Sequence, residues 1–242
     1  MIDIAFDDRT DSHGRDPDSA SPTLRKHHQL LWSKTLPNGQ MFELQLEDGN
    51  YLTHRSNLGE YLLSSDSISN SLRSHKRRAH IISQVPAEQL DYFQLLGSTI
   101  GAKTLFPGNK VDGKPTINVA RGFNGKIGDR MDLTLECIRL HYLGHPSPLG
   151  ETLSRYSDFF SLFTDFDGYV SFFLLDDLIH QGRVKGFLPL SGEFQSNSLP
   201  NNLPDYLEYM QNTINFVTAR NLRIKAWSDA YLVPDIALQN NY

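Results

Sequence analysis

The sequence predicts an α+β fold in a single domain, with a small antiparallel sheet from the N-terminal half packed against a mostly helical C-terminal half. Three observations carry this expectation. The clearest strand pattern lies early, where Phe42, Leu44 and Leu46 alternate with Glu43, Gln45 and Glu47. The helical periodicities gather in the back half, from Asp129 onward. Strand and helix signals do not alternate regularly, as a parallel sheet with crossover helices requires.

Residues 1–21 are rich in Asp, Ser, Arg and Gly and read as an extended arm, ordered only where it docks on the body. Residues 22–242 read as one α+β domain. Ser21-Pro22 supplies a helix N-cap and a proline at the first helical position. The helix that follows runs to about Lys34, with Leu24, Leu31 and Trp32 as anchors. Asp48-Gly49 offers the positive φ of a tight hairpin, Tyr51–His54 returns, and Leu58–Leu63 adds a third strand. Residues 64–80 are polar, then basic, and read as a loop with one turn of helix.

Pro86 opens a helix with Glu88 and Asp91 near its N-terminus and Leu90, Phe93 and Leu96 on its buried stripe. Asp112-Gly113 marks a turn, and the β-branched run Thr116–Val119 reads as a strand. Asp129–Tyr142 is a helix stopped by Gly144 and Pro146. Pro148–Phe163 is a second, carrying Leu149, Leu153, Tyr156, Phe160 and Phe163 near helical spacing. Gly168–His180 is a third, apolar on most faces and so central. Pro204–Arg220 is a fourth, with Leu207, Met210, Ile214 and Val217 as its stripe, and Arg223–Trp227 reads as a last strand.

At 242 residues and 39% hydrophobic, the chain has material for a sizeable core. Its net charge of −5 argues against a bulk electrostatic grip on nucleic acid, though not against a local basic site. A single cysteine, Cys137, precludes an intrachain disulfide and fits a reducing compartment. The N-terminus lacks the basic and apolar segments of a signal peptide. The most apolar stretch, Tyr169–Leu175, lies between aspartates and is far short of the roughly 20 residues of a membrane span. The expectation is a cytoplasmic protein with no membrane partner.

Several motifs are weighed and set aside. Gly108 to Lys114 matches the first seven positions of a P-loop, but Pro115 replaces the Ser or Thr that holds magnesium and keeps Lys114 out of a helix. Cys137 lies mid-helix with His141 four residues on; a small buried residue is the simpler reading than a catalytic thiol. The basic run Arg73–His80 lacks the interleaved aromatics of a single-strand binder, yet it offers cations to phosphates. The histidines lack metal spacing, and neither a nucleophile elbow nor a dinucleotide fingerprint is present, so no cofactor is expected.

The densest set of chemically useful groups lies between Asn118 and His141. It reads as strand, glycine loop and helix, an order that presents backbone amides and the positive end of a helix dipole beside a loop. Arg121, Lys126 and Arg130 surround that end, and glycines at 122, 125 and 128 let a ligand approach the backbone. In a functional reading, Asn118, Arg121, Lys126 and Arg130 bind a phosphate-bearing small molecule or nucleic-acid end, and Glu136 or His141 is the general base. In the structural reading, Asp129 caps the helix, Glu136 and Arg139 form an ordinary pair, and the charges are held for packing. The alternative function is a non-catalytic module for a protein partner or a homo-oligomer.

The segments DRMDLTLECIRLHY, SPLGETLSRYSDFFSLF and GYVSFFLLDDLI, with DPDSASPTLRKHHQLLWSK near the start, give the chain a resemblance. It resembles a group of uncharacterised bacterial hypothetical proteins of similar length. The resemblance implies a single domain and transfers no catalytic residue.

Overall fold

The strand expected from the alternation at 42–47 splits: Met41–Phe42 and Gln45–Leu46 pair into different sheets, and Leu46 is exposed. A computed structural model describes residues 1–46, 52–72, 76–188, 194 and 198–231. Two short strands, β1 (Lys34–Thr35) and β2 (Met41–Phe42), form an antiparallel ribbon. β3 (Gln45–Leu46), β4 (Leu52–Ser56), β5 (Gly59–Ser67) and β6 (Lys103–Pro107) then form one antiparallel sheet in chain order. The Asp48-Gly49 turn lies outside the described residues. A last ribbon pairs β7 (Ile179–His180) with β8 (Arg183–Val184).

The N-terminal arm docks on the body. Ile2 is buried, its amide donates to Ser228 Oγ at 3.3 Å, and the Asp8 amide donates to the Ser98 carbonyl at 3.0 Å. A one-turn helix, α1 (Pro17–Ala20), leads into α2 (Pro22–Trp32), whose N-cap Ser21 accepts from the Leu24 amide. Leu24, Leu31 and Trp32 are buried, as their spacing predicts.

After β5 come the short α3 (Ala79–Ile82) and α4 (Ala87–Gly97), which opens behind Pro86 and buries Leu90 and Phe93. Following β6, α5 (Ile117–Phe123) and α6 (Met131–Tyr142) are joined by the glycine loop. α7 (Gly150–Ser154), α8 (Ser157–Ser161) and α9 (Phe166–Phe172) are short, and α10 (Leu203–Tyr231) is the longest described helix. The rings cluster at α8 and α9. Phe163 lies 5.3 Å from Phe159, 5.3 Å from Tyr169 and 5.0 Å from Phe172, ring centre to ring centre.

One polar residue ties the layers together. Arg220, in the middle of α10, is fully buried. Its guanidinium donates to the carbonyls of Gly101, Lys103, Phe173 and Leu174 at 2.6–3.3 Å. Those four carbonyls lie at and just before the start of β6 and just after α9, so one side chain joins helix, sheet edge and aromatic cluster. Burial pulls its pKa down to about 9, the cost of holding a cation among neutral acceptors.

The structure departs from the sequence reading at identifiable points. Thr116–Val119 is not a strand: Thr116 caps α5 by accepting from the Val119 amide, and capping outweighs the β-branched propensity. Arg223–Trp227 is helical, because α10 continues through it to Tyr231. Within α10 Met210 and Val217 are buried as their spacing predicts, but the buried face also takes in Tyr206, Tyr209, Thr213, Phe216 and Arg220, and Leu207 is exposed. The helix expected over 148–163 breaks at Arg155–Tyr156, and the one over 168–180 ends at Phe172, before Leu174 with its positive φ. Residues 64–67 extend β5, whereas 73–75 of the basic run lie outside the described residues.

Candidate functional site

α5, the glycine loop and the start of α6 do bring Arg121 and Arg130 to one region, but not to a surface. Arg121 is fully buried and forms an ion pair with Asp66 of β5. It also donates to Thr134 Oγ1 at 3.2 Å, to the Ser67 carbonyl at 3.2 Å and to the Asp129 carbonyl at 3.0 Å. Burial works against its charge; Asp66 and Asp129 outweigh it and hold the pKa above the ordinary arginine value. Arg130 is buried as well, forks onto Asp132, and donates to the Ser198 carbonyl at 2.8 Å. Asp132 in turn accepts from the Phe187 amide at 2.7 Å.

The premise that these guanidiniums stand open to an anion is therefore corrected. The buried Met131, Leu133 and Leu135 carry the start of α6, with Asp132 and Thr134, into the fold, and a buried arginine must be paired. Both arginines spend their donors on acids and carbonyls of the protein. Asp129 is not the helix cap either. It sits at φ 61° before the N-cap Arg130, and its carboxylate accepts from Asn70 Nδ2 at 3.2 Å.

The remaining predicted residues scatter. Asn118 donates weakly to Ser64 Oγ and the Ser65 carbonyl at 3.3 and 3.4 Å, and its buried Oδ1 has no hydrogen-bond partner among the described residues. Lys126 is exposed in the loop. Glu136 is engaged by Arg139 through two hydrogen bonds of 2.7–2.8 Å. His141 packs on Phe160 at 5.3 Å, and burial lowers its pKa. Cys137 is fully buried, and burial pushes its thiol up to about 12, which leaves no thiolate near neutral pH.

A second polar cluster sits on β5, and it resembles catalytic pairs without being poised as one. Side chains at 65 and 67 share one sheet face. His28 Nε2 lies 2.9 Å from Ser65 Oγ. Trp32 Nε1 donates to His28 Nδ1 at 3.0 Å, which makes Nδ1 the acceptor and Nε2 the proton carrier. His28 therefore donates to Ser65 and cannot take its proton. Burial also drives the His28 pKa well below its ordinary value. Ser67 Oγ lies 3.2 Å from Lys103 Nζ. Burial works against the Lys103 ammonium, but Asp18 and Asp8 outweigh it and keep the pKa raised. A lysine held protonated cannot be a general base. Asp8, itself 1% exposed, has its pKa raised to about 6, burial outweighing Lys103 at 2.9 Å.

Open space lined by polar groups lies elsewhere. A cleft of about 200 Å³ separates the 177–187 segment from α10. Lys185, Asn212, Asn215 and Asp177 line it above Phe187 and Phe216. The Lys185 amide donates to the Leu178 carbonyl at 2.7 Å, and Asn212 Nδ2 donates to the Phe187 carbonyl at 2.9 Å. These bonds fix the two walls. Asn215 Oδ1 accepts from Gln211 at 2.9 Å, which leaves its Nδ2 donors toward solvent. Asp177 is neutralised by Arg223, with hydrogen bonds of 2.9 and 3.2 Å. The exposed Lys185 ammonium has no ion pair among the described residues. Sequence reading missed this cleft because its groups come from two segments 25 or more residues apart and no local motif joins them.

A model for a family of unknown function, DUF6994, matches residues 2–224. The chain belongs to the DUF6994 family. The match takes in the docked arm, the sheet, the cleft and most of α10, which agrees with the resemblance to an uncharacterised group. No curated protein and no solved structure matches the chain. Among the described residues no helix is long and apolar enough to cross a membrane.

Proposed function

We propose that this DUF6994 chain binds a small phosphate-bearing ligand in the cleft between residues 177–187 and α10. The observation that supports it is an exposed lysine lining a cleft where one half of each of two side-chain amides, Asn212 Oδ1 and Asn215 Nδ2, is left over from their hydrogen bonds to the protein. Lys185 meets the phosphate as a point charge. Asn212 Oδ1 accepts, and Asn215 Nδ2 donates, one helical turn apart on α10. Phe187 and Phe216 give an apolar floor. Arg121 and Arg130 hold the scaffold in this reading and do not touch the ligand.

The test is a thermal-shift panel of inorganic phosphate, mononucleotides and sugar phosphates. A ligand at 100 times its Kd stabilises by about 2.7 kcal/mol. The same ligand is expected to give no shift with Lys185→Glu. A shift that survives this substitution places the ligand elsewhere and sinks the proposal.

A second reading, a non-catalytic interaction module, is favoured by one observation. Val119 and Phe123 are 40% and 89% exposed and lie four residues apart on α5. Concentration-dependent sedimentation that disappears in Phe123→Ser is its expected signature.

A further inference from the structure

The N-terminal arm is seated by charge more than by apolar burial. Of residues 1–23, Ile2 is the one apolar side chain that is buried. The arm instead delivers two carboxylates to one ammonium. Lys103 Nζ donates to Asp18 Oδ1 at 2.7 Å and to Ser67 Oγ at 3.2 Å, and it lies 2.9 Å from Asp8 Oδ2. Ser67 Oγ donates to Asp18 Oδ2 at 3.3 Å, and Ser65 Oγ reaches Asp18 Oδ1 at 3.5 Å. Behind Ser65, Trp32 donates to His28 at 3.0 Å and His28 to Ser65 at 2.9 Å. Ser65 thus receives one hydrogen bond and turns its own proton to Asp18. The body presents an ammonium and two hydroxyls, and both oxygens of Asp18 fill them.

We infer that Lys103, Ser65 and Ser67 form a seat for the carboxylate of a small external monocarboxylic acid, and that Asp18 of the arm occupies this seat until such an acid displaces it. The features that bar the cluster from base catalysis, a protonated lysine and a histidine fixed as a donor, are those an anion needs. The ammonium gives the seat charge-assisted strength, and donors to each of two oxygens suit a planar carboxylate. Asp8 makes the arm an imperfect occupant. It is buried beside an ammonium that Asp18 already neutralises, and its Oδ1 has no hydrogen-bond partner among the described residues. Burial raises its pKa to about 6, so near neutral pH the docked arm holds an ionised acid against that cost. Exchanging the arm for a monocarboxylate replaces two negative charges on Lys103 by one. The exchange leaves α2 intact, because Ser21 caps it through the Leu24 amide when residues 1–20 lift away. The backbone ties that open include the Ile2 amide to Ser228, the Asp8 amide to the Ser98 carbonyl, and the Thr23 amide to Asp11 at 2.9 Å. A segment with so little apolar burial opens locally at low free energy.

Hydrogen exchange on the full chain at pH 7 tests this, with sodium acetate as the probe and sodium chloride at equal ionic strength as the control. The Asp8 amide reports docking of the arm. Acetate at about 100 mM is expected to speed its exchange at least about fivefold over the chloride control. Lys185→Glu should respond as the wild type does, which separates this seat from the cleft beside α10. Asp18→Ala empties the seat while Lys103 keeps Asp8, and acetate should raise its Tm in a saturable way that chloride does not reproduce. Adding Ser67→Ala to that variant should raise the half-saturating acetate concentration about threefold or more. Asp8 exchange that acetate leaves unchanged, or that chloride speeds equally, overturns the inference. So does an acetate response lost in Lys185→Glu, or an Asp18→Ala Tm that acetate moves no further than chloride.

Discussion

Replacing Arg121 with methionine separates a structural lock from a ligand contact. The substitution keeps most of the side-chain volume and removes a guanidinium that is fully buried. What it leaves behind sets the magnitude. Asp66 loses its ion-pair partner, and the carbonyls of Ser67 and Asp129 and the Thr134 hydroxyl lose donors. Removing one member of a buried pair costs about 3–5 kcal/mol. For a chain of this size that is a fall in Tm of roughly 6–20 °C. The double variant Arg121→Met/Asp66→Asn removes both charges and should recover about half of the loss, since neutral replacements for a buried pair are often tolerated. Urea unfolding followed by the fluorescence of Trp32 and Trp227 measures both. A loss below about 1 kcal/mol, or a double variant no better than the single one, refutes the lock.

Two further outcomes follow from the same physics. Arg220→Met strands the four carbonyls of Gly101, Lys103, Phe173 and Leu174 and is expected to cost about 4 kcal/mol or more, measured by the same urea titration; a small loss contradicts its role as a tie. Asp8 has a folded pKa of about 6, above its ordinary value, so the stability it contributes is present below about pH 4 and lost as pH rises through 6. Relative to the wild type, Asp8→Asn should therefore gain up to about 3 kcal/mol between pH 4 and pH 7. A difference that does not change with pH would falsify that account.

The elements legible in the sequence were those announced by a local device. Ser21-Pro22 marks α2 because a cap and a proline act within four residues. Leu90 and Phe93 mark α4, and Met131, Leu135 and Ile138 mark the core face of α6, because one buried stripe repeats at helical spacing. β6 was missed for the opposite reason. All five of its residues are buried, so it lacks the alternation that a half-exposed strand displays, and Lys103 disguises its apolar character. The buried face of α10 is wider than its apolar stripe because Thr213 and Arg220 occupy buried positions that a count of apolar residues passes over.

The cluster around Arg121 was found but misread. Spacing gives its residues and their face of α6, whereas the acid that neutralises Arg121 comes from β5, 55 residues away. Pairing across that distance is a property of the folded chain. The seat of Asp18 was invisible for the same reason, since its donors come from positions 65, 67 and 103.

The most direct measurement is a side-by-side titration of AMP into the wild type, Lys185→Glu and Lys126→Glu, followed by calorimetry at one fixed salt concentration. Lys185 lines the cleft, and Lys126 lies in the glycine loop beside the locked arginines. The account predicts at least a tenfold weakening for Lys185→Glu, about 1.4 kcal/mol, and affinity unchanged for Lys126→Glu. The reverse pattern, with Lys126→Glu losing the ligand and Lys185→Glu keeping it, contradicts the assignment of the site.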